Sequence, residues 1–241
     1  MRKKSVRRAE PGRNPGDNPK PWEVEFDCNL PDVPVLPETL LRFELEIQEP
    51  CVDLRAMSQL VLSDLGATLQ ILRLSGSVYD DAENRPTRIE DCISDLGLDA
   101  CLGAVSAQTV ARDGCYQAIM GTWAHSREIA QHARLAAEEM PDVNPEDAYL
   151  VGLLHAIGLL PQILGWSGDP TGKLDGNLVG FQMARQWRLP PFVVEFFSAM
   201  QRAGCDPRWP QIVTSAHRSA SRSSIHCPFE RGLRPLLHRA V

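Results

Sequence analysis

The chain predicts an all-α fold, and three observations carry that expectation. Apolar residues recur at helical spacing along most of its length. No stretch of four to eight residues alternates apolar and polar well enough to argue a strand. Helix starts and stops stand at the right places: Asp53, Asp64 and Asn144 are residues that accept from free N-terminal N–H groups, and Pro50 and Gly97 end apolar-periodic runs.

Residues 1–29 are rich in Pro, Gly, Asn and charge, with Trp22 and Phe26 the large aromatics, and read as a disordered basic tail. Pro31, Pro34 and Pro37 punctuate an extended lead-in to a helix over Glu38–Gln48, whose apolar residues are Leu40, Leu41, Phe43, Leu45 and Ile47. Asp53 and Asp64 cap helices over Leu54–Leu62 and Leu65–Leu74. Ser75–Thr87 is a polar loop with an acidic stretch at Asp80–Glu83. Helices over Ile89–Leu96 and Leu98–Val110 follow, broken at Gly97. A long helix starts near Trp123 and runs to about Met140.

Pro141 and Pro145 bracket a turn, and Asn144 caps a helix over Asp147–Leu160 with a wide apolar face of Leu150, Leu153, Leu154, Ile157 and Leu160. This is the element against which the rest is read. A loop over Trp166–Gly176 leads to helices Asn177–Trp187, Pro191–Gln201 and Pro210–Ser221. Residues 222–241 read as a second disordered tail, and there is no repeat at a fixed period.

With 241 residues the chain is long enough to bury a sizeable core as one large domain or two small ones. No run of about 18 apolar residues predicts a membrane span. The basic N-terminus lacks the apolar core of a secretory signal. Seven cysteines (Cys28, Cys51, Cys92, Cys101, Cys115, Cys205, Cys227) form no C-x-x-C pair, so they read as reduced thiols in a cytoplasmic protein and argue against a Cys-rich zinc site. The net charge of -6 is uneven. Residues 23–202 hold 12 basic against 27 acidic residues, while both ends are basic. An acidic body repels phosphate backbones, so nucleic acid is not the expected partner of the core.

Several weak motifs in order resemble one family. They are Leu36-Pro37-Glu38-Thr39, the Asp53-Leu54 helix start, Ser63-Asp64 before a Leu-rich helix, and Ile89-Glu90-Asp91-Cys92-Ile93 leading to Leu96-Gly97-Leu98-Asp99. In the second half they are His125-Ser126, the run Ala148 to Leu160, and Trp187-Arg188-Leu189-Pro190. Together they resemble the HDOD domain, the HD-related output domain of bacterial signalling proteins. The resemblance covers about Leu30 to Ser221. It implies a helical bundle of two lobes: an N-terminal helical lobe, 30–120, packed on a degenerate HD-like lobe, 121–221. The chain departs from the family pattern at Ser75-Gly76, where the family usually reads Asn-Ser. It departs again at Phe196-Phe197-Ser198-Ala199, where paired histidines often stand.

The resemblance also implies where a metal site would be. An HD phosphohydrolase holds its metal with a first-helix His, an adjacent His-Asp dyad and a later helical Asp, and the metal activates a water. Here the positions read His125, His155, Ala156 and His217. Both carboxylates are missing, which should weaken a hard divalent cation severely. Three histidines are still enough ligands for a transition metal. The plainer reading of a histidine on an apolar helix face is a core residue satisfied by a hydrogen bond. His125, read at a helix start, is expected near solvent.

Other signals carry less. His132 and Glu128 sit four apart, the spacing of a surface contact. Gly168-Asp169-Pro170-Thr171-Gly172-Lys173 is one residue short of a phosphate loop and is followed by Leu174 instead of Ser or Thr. Trp123, Trp166, Trp187 and Trp209 read as packing anchors. The expectation is therefore a non-enzymatic regulatory or interaction module with a signalling protein as partner. No catalytic residue, metal or other cofactor is expected. The alternatives are a residual metal-dependent phosphohydrolase and a nucleotide-sensing domain that uses the vestigial pocket.

Overall fold

The structure, a computed structural model, describes residues 33–79, 85–106, 116–165, 175–201 and 205–223. The N-terminal tail, residues 224–241 of the C-terminal tail, the acidic stretch Asp80–Glu83, the expected end of the fifth helix at 107–110, Trp166 and the loop Gly168–Lys173 lie outside the described residues, while Arg222 and Ser223 of the expected tail are helical. Every regular element described is helical: α1 (Pro37–Glu46), α2 (Leu54–Leu62), α3 (Leu65–Val78), α4 (Ile89–Leu96), α5 (Leu98–Ser106), α6 (Tyr116–Glu138), α7 (Pro145–Leu154), a 3-10 turn (Ile157–Leu159), α8 (Leu160–Ile163), α9 (Gly176–Gln186), α10 (Pro191–Gln201) and α11 (Arg208–Ser223). The all-α expectation holds. Among the described residues, no helix is long and apolar enough to cross a membrane.

Local chemistry explains the starts. The Asp53 carboxylate accepts from Arg55 N and Ala56 N, and the Asn144 side chain accepts from Glu146 N, each satisfying first-turn donors. Asp64 does more. It caps α3 by accepting from Gly66 N at 2.8 Å and Ala67 N at 3.1 Å. It also accepts from Leu36 N at 2.8 Å and from the Trp123 indole at 2.9 Å. One buried carboxylate thus ties α1, α3 and α6 together. Burial pushes its carboxyl up, and the hydrogen bonds pull it back down.

Three elements differ from the sequence expectation. α3 continues past Leu74 to Val78, because Ser75 and Gly76 are not loop residues but a buried face. A Cβ at Gly76 would sit 2.8 Å from the Arg188 carbonyl oxygen. α6 begins at Tyr116, ahead of the expected start at Trp123, with Ile119 and Thr122 already buried. The third difference is at α7. It stops at Leu154, and the chain turns through Ala156 (φ -102°, ψ 8°) into the 3-10 turn. The cause is a close approach: a Cβ at Gly158 would collide with the Gly176 carbonyl, so the backbone packs directly on the start of α9.

The helix contacts fall mainly into two groups. α1–α5 pack among themselves, and α6 forms the spine of the second group, with α7 and α11 laid along it. α7 is buried almost all round, with Leu150, Val151, Leu153 and Leu154 inside.

Candidate functional site

Three histidines, each from a different helix, meet where α6, α7 and α11 pack. His125 lies in the middle of α6 on the face that also buries Ser126, Ile129, Ala130 and Ala133. His217 lies in α11 on the face of Ile212, Val213, Ala216 and Ala220, the spacing of one helical stripe. His155 follows the last residue of α7. The ring centroids are 5.4 Å apart for His125–His155, 5.2 Å for His125–His217 and 4.9 Å for His155–His217. One ring nitrogen from each lies within 4.8 Å of the other two. The relative exposures are 8% for His125, 6% for His155 and 6% for His217. His125 is therefore not at a solvent-facing helix start; α6 begins nine residues earlier and carries it into the core.

Small residues make this convergence possible. A Cβ at Gly152 would sit 2.7 Å from Ala130 Cα and 2.9 Å from Ala133 Cβ, so α7 closes on α6 only with glycine there. The same glycine orients the site. Its carbonyl, one of those that a helix end leaves without an intrahelical donor, accepts from His155 Nδ1 at 2.6 Å. A carbonyl cannot donate, so Nδ1 carries the proton and Nε2 presents a lone pair. That Nε2 is buried and has no hydrogen-bond partner.

Burial holds the His155 ring well below the usual imidazole range, helped by His217 and His125 and opposed by the Gly152 bond. His217 is pushed down to about 3, by burial first and then by His125. Both imidazoles are neutral at pH 7.

Ala156 stands beside the cluster, 3% exposed, and supplies no oxygen. Among the described residues the group contains no Asp or Glu. A hard, oxygen-seeking cation of the kind a metal phosphohydrolase uses does not fit this donor set, since it needs carboxylate or other oxygen ligands. His132 is partly exposed and lies outside the group.

Sequence reasoning did not find Gly152, the Asp64–Trp123 bond or the Arg85–Arg188 contact. Trp123 was visible as an anchor, and it is 2% exposed. The only signal for Gly152 was a glycine in mid-helix, which costs about 1 kcal/mol against alanine and so implies a packing reason.

Comparison with known proteins agrees with the fold. The structure is similar to that of the MmoQ response regulator from Methylococcus capsulatus, with TM-score 0.64 and 18% identity, covering 88% of this chain and 99% of that one. It is also similar to a virulence factor from Campylobacter jejuni, with TM-score 0.52 and 17% identity, covering 78% of this chain and 75% of that one. At these identities the likeness is one of fold. No curated protein matches the chain. The HDOD domain family matches residues 33–164, more than half of the chain, across α1 to α8. That match and the helical architecture lead to one conclusion: the chain belongs to the HDOD domain family.

Proposed function

We propose that this chain is a non-enzymatic regulatory module of bacterial signal transduction that acts in the cytoplasm by binding a signalling protein. The observation that carries this reading is the donor set at the helix junction. Where an HD phosphohydrolase has two aspartates, this chain has Ala156 and His217, and the group contains imidazoles alone. Without carboxylates, nothing balances the charge of a hard cation or orients it to polarise a phosphoester. The HDOD resemblance and the similarity in fold to a protein described as a response regulator support a signalling role.

A further observation favours a protein partner. Leu41 and Leu45, one turn apart on α1, are 57% and 56% exposed. Two large apolar side chains on one helix face are a candidate contact for a helix or loop of another protein.

The test has two arms. Purified protein is assayed against phosphomonoesters, phosphodiesters and nucleotides with added manganese, iron and zinc, and the expected result is no turnover. Turnover abolished by His125→Ala would overturn the reading in favour of a phosphohydrolase. In the second arm, partners captured from the native cell are identified, and Leu41→Lys with Leu45→Lys should reduce capture. A thermal shift with a nucleotide and no protein partner would instead favour a nucleotide sensor.

A further inference from the structure

We propose that His125, His155 and His217 form a three-histidine site for a single borderline d-block cation, zinc above all, that serves structure or sensing and not phosphoester hydrolysis. The proposal stands apart from the partner-binding reading, and either can fail alone.

The argument starts at His155. Its Nδ1 is occupied by the Gly152 carbonyl at 2.6 Å. A histidine that ligates a metal ordinarily donates its other ring N–H to such an acceptor, which selects the tautomer and the ring orientation. The remaining nitrogen, Nε2, is buried without a hydrogen-bond partner in a side chain only 6% exposed. A buried polar atom with no partner is costly, and native structures almost always satisfy it. The other two imidazoles pack against this ring, at centroid distances of 5.4 and 4.9 Å. Neither ring supplies that nitrogen with a hydrogen bond. A cation between the three rings satisfies it.

The donor chemistry selects the ion. Three imidazoles are borderline ligands that suit zinc, copper, nickel and cobalt, whereas magnesium, calcium and manganese favour oxygen. Zinc takes three protein ligands plus one exchangeable position in its open sites. Zinc–nitrogen bonds of about 2.0–2.1 Å place tetrahedral ligand nitrogens roughly 3.3 Å apart. The nitrogens here lie within 4.8 Å of one another. Binding would therefore draw the rings inward and tighten α6, α7 and α11 on each other. A cation held this way joins helices that are far apart in sequence, so it would raise the thermal midpoint.

The full chain, stripped with chelator and dialysed, is titrated with zinc chloride and, separately, with cobalt(II) chloride and magnesium chloride. Expected are one zinc per chain, a rise in thermal midpoint with zinc, and no binding of magnesium. Bound cobalt should show visible bands of a four- or five-coordinate ion without the near-ultraviolet band of a cobalt–thiolate bond. His155→Gln and His217→Gln should each weaken zinc by roughly a hundredfold or more, since even the loss of a residue that only orients a ligand costs 10–100-fold. His132→Gln should not. Failure of the unaltered protein to take up zinc or cobalt at one per chain would overturn the proposal. So would magnesium binding as tight as zinc, a cobalt–thiolate band, or zinc affinity unchanged in both glutamine variants. Should those variants fail to fold, the cobalt spectrum of the unaltered chain decides.

Discussion

His155 shows how much one side chain can hold. Its ring closes the end of α7 through Gly152, packs against two other imidazoles, and leaves one nitrogen inside the core without a partner. In metal-free protein this has a pH signature. The unfolded chain binds protons at the ordinary histidine value of about 6.5. Folded His155 and His217 bind them only well below that. The unfolded state therefore gains protons first as the pH falls. The stability from neutral burial is complete above about pH 6.5 and is lost toward acid, by up to about 1.4 kcal/mol per pH unit for each histidine. Urea unfolding in chelator at pH 7, 6 and 5 should show a falling midpoint, and the fall should be shallower in His217→Gln. A flat midpoint across that range would show that these rings are not buried as neutral groups.

Asp64 gives a second residue-scale test. Asp64→Ala removes a helix cap, worth about 0.5–2 kcal/mol. It also leaves the buried Trp123 indole and Leu36 N–H without their acceptor, at about 1–3 kcal/mol each. The expected loss is about 3 kcal/mol or more in denaturant unfolding. Trp123→Phe, which removes one donor and keeps the ring, should cost much less. Asp64 was legible in the sequence as a cap of α3. Its bonds to Leu36 and Trp123 were not, because partners 28 and 59 residues away leave no local pattern.

At the scale of elements, the α6–α7 pair decides the site. Leu153, Leu154 and Ile157 are fully buried. Leu154→Ala should cost on the order of 2–5 kcal/mol. A loss below about 1 kcal/mol would mean that α7 is peripheral. Gly152→Ala asks a different question. The added methyl has nowhere to go between Ala130 and Ala133, so α7 must move off α6. Overpacking of this kind costs about 1–3 kcal/mol. It should also weaken zinc uptake, although no histidine has changed. Stability loss with undiminished zinc uptake would mean that α7 and α6 do not set the spacing of the rings.

Most helix boundaries were readable. α2, α4 and α10 fall where spacing and caps put them, and α1, α9 and α11 fall within two residues. The end of α7 was not readable, because Ile157 and Leu160 continue the apolar spacing through the break. Periodicity reports which residues are buried. It does not report whether the buried chain is one helix or a helix and a 3-10 turn.

Over the whole molecule, a few polar contacts join the two helix groups. The Arg85 guanidinium donates to the Arg188 carbonyl, and Arg188 Nη1 donates to the Gly76 carbonyl at 3.3 Å. Tyr149 Oη donates to the Leu62 carbonyl at 3.2 Å, and the Arg73 guanidinium lies 4.9 Å from the centre of the Trp187 ring. Arg85 is 7% exposed. Arg85→Met keeps the stem and removes the donor, so the expected cost is about 1–3 kcal/mol. Amide exchange at Leu189 and in the first turn of α10 should quicken, while α2 and α4 are unaffected. Equal exchange everywhere would show that this contact does not hold the groups together.

The sequence by itself determined the helical class and most helix positions, since these rest on spacing, capping and residue type, while the four positions His125, His155, Ala156 and His217 came from the resemblance of its motifs to a family. Only the tertiary structure decided that the three histidines face one another and that His155 keeps one nitrogen without a partner. That arrangement depends on the closeness of α7 to α6 at Gly152, and on α11 returning some 90 residues after His125. Such distances are set by packing between helices, which is a property of the whole chain and has no period to read along it.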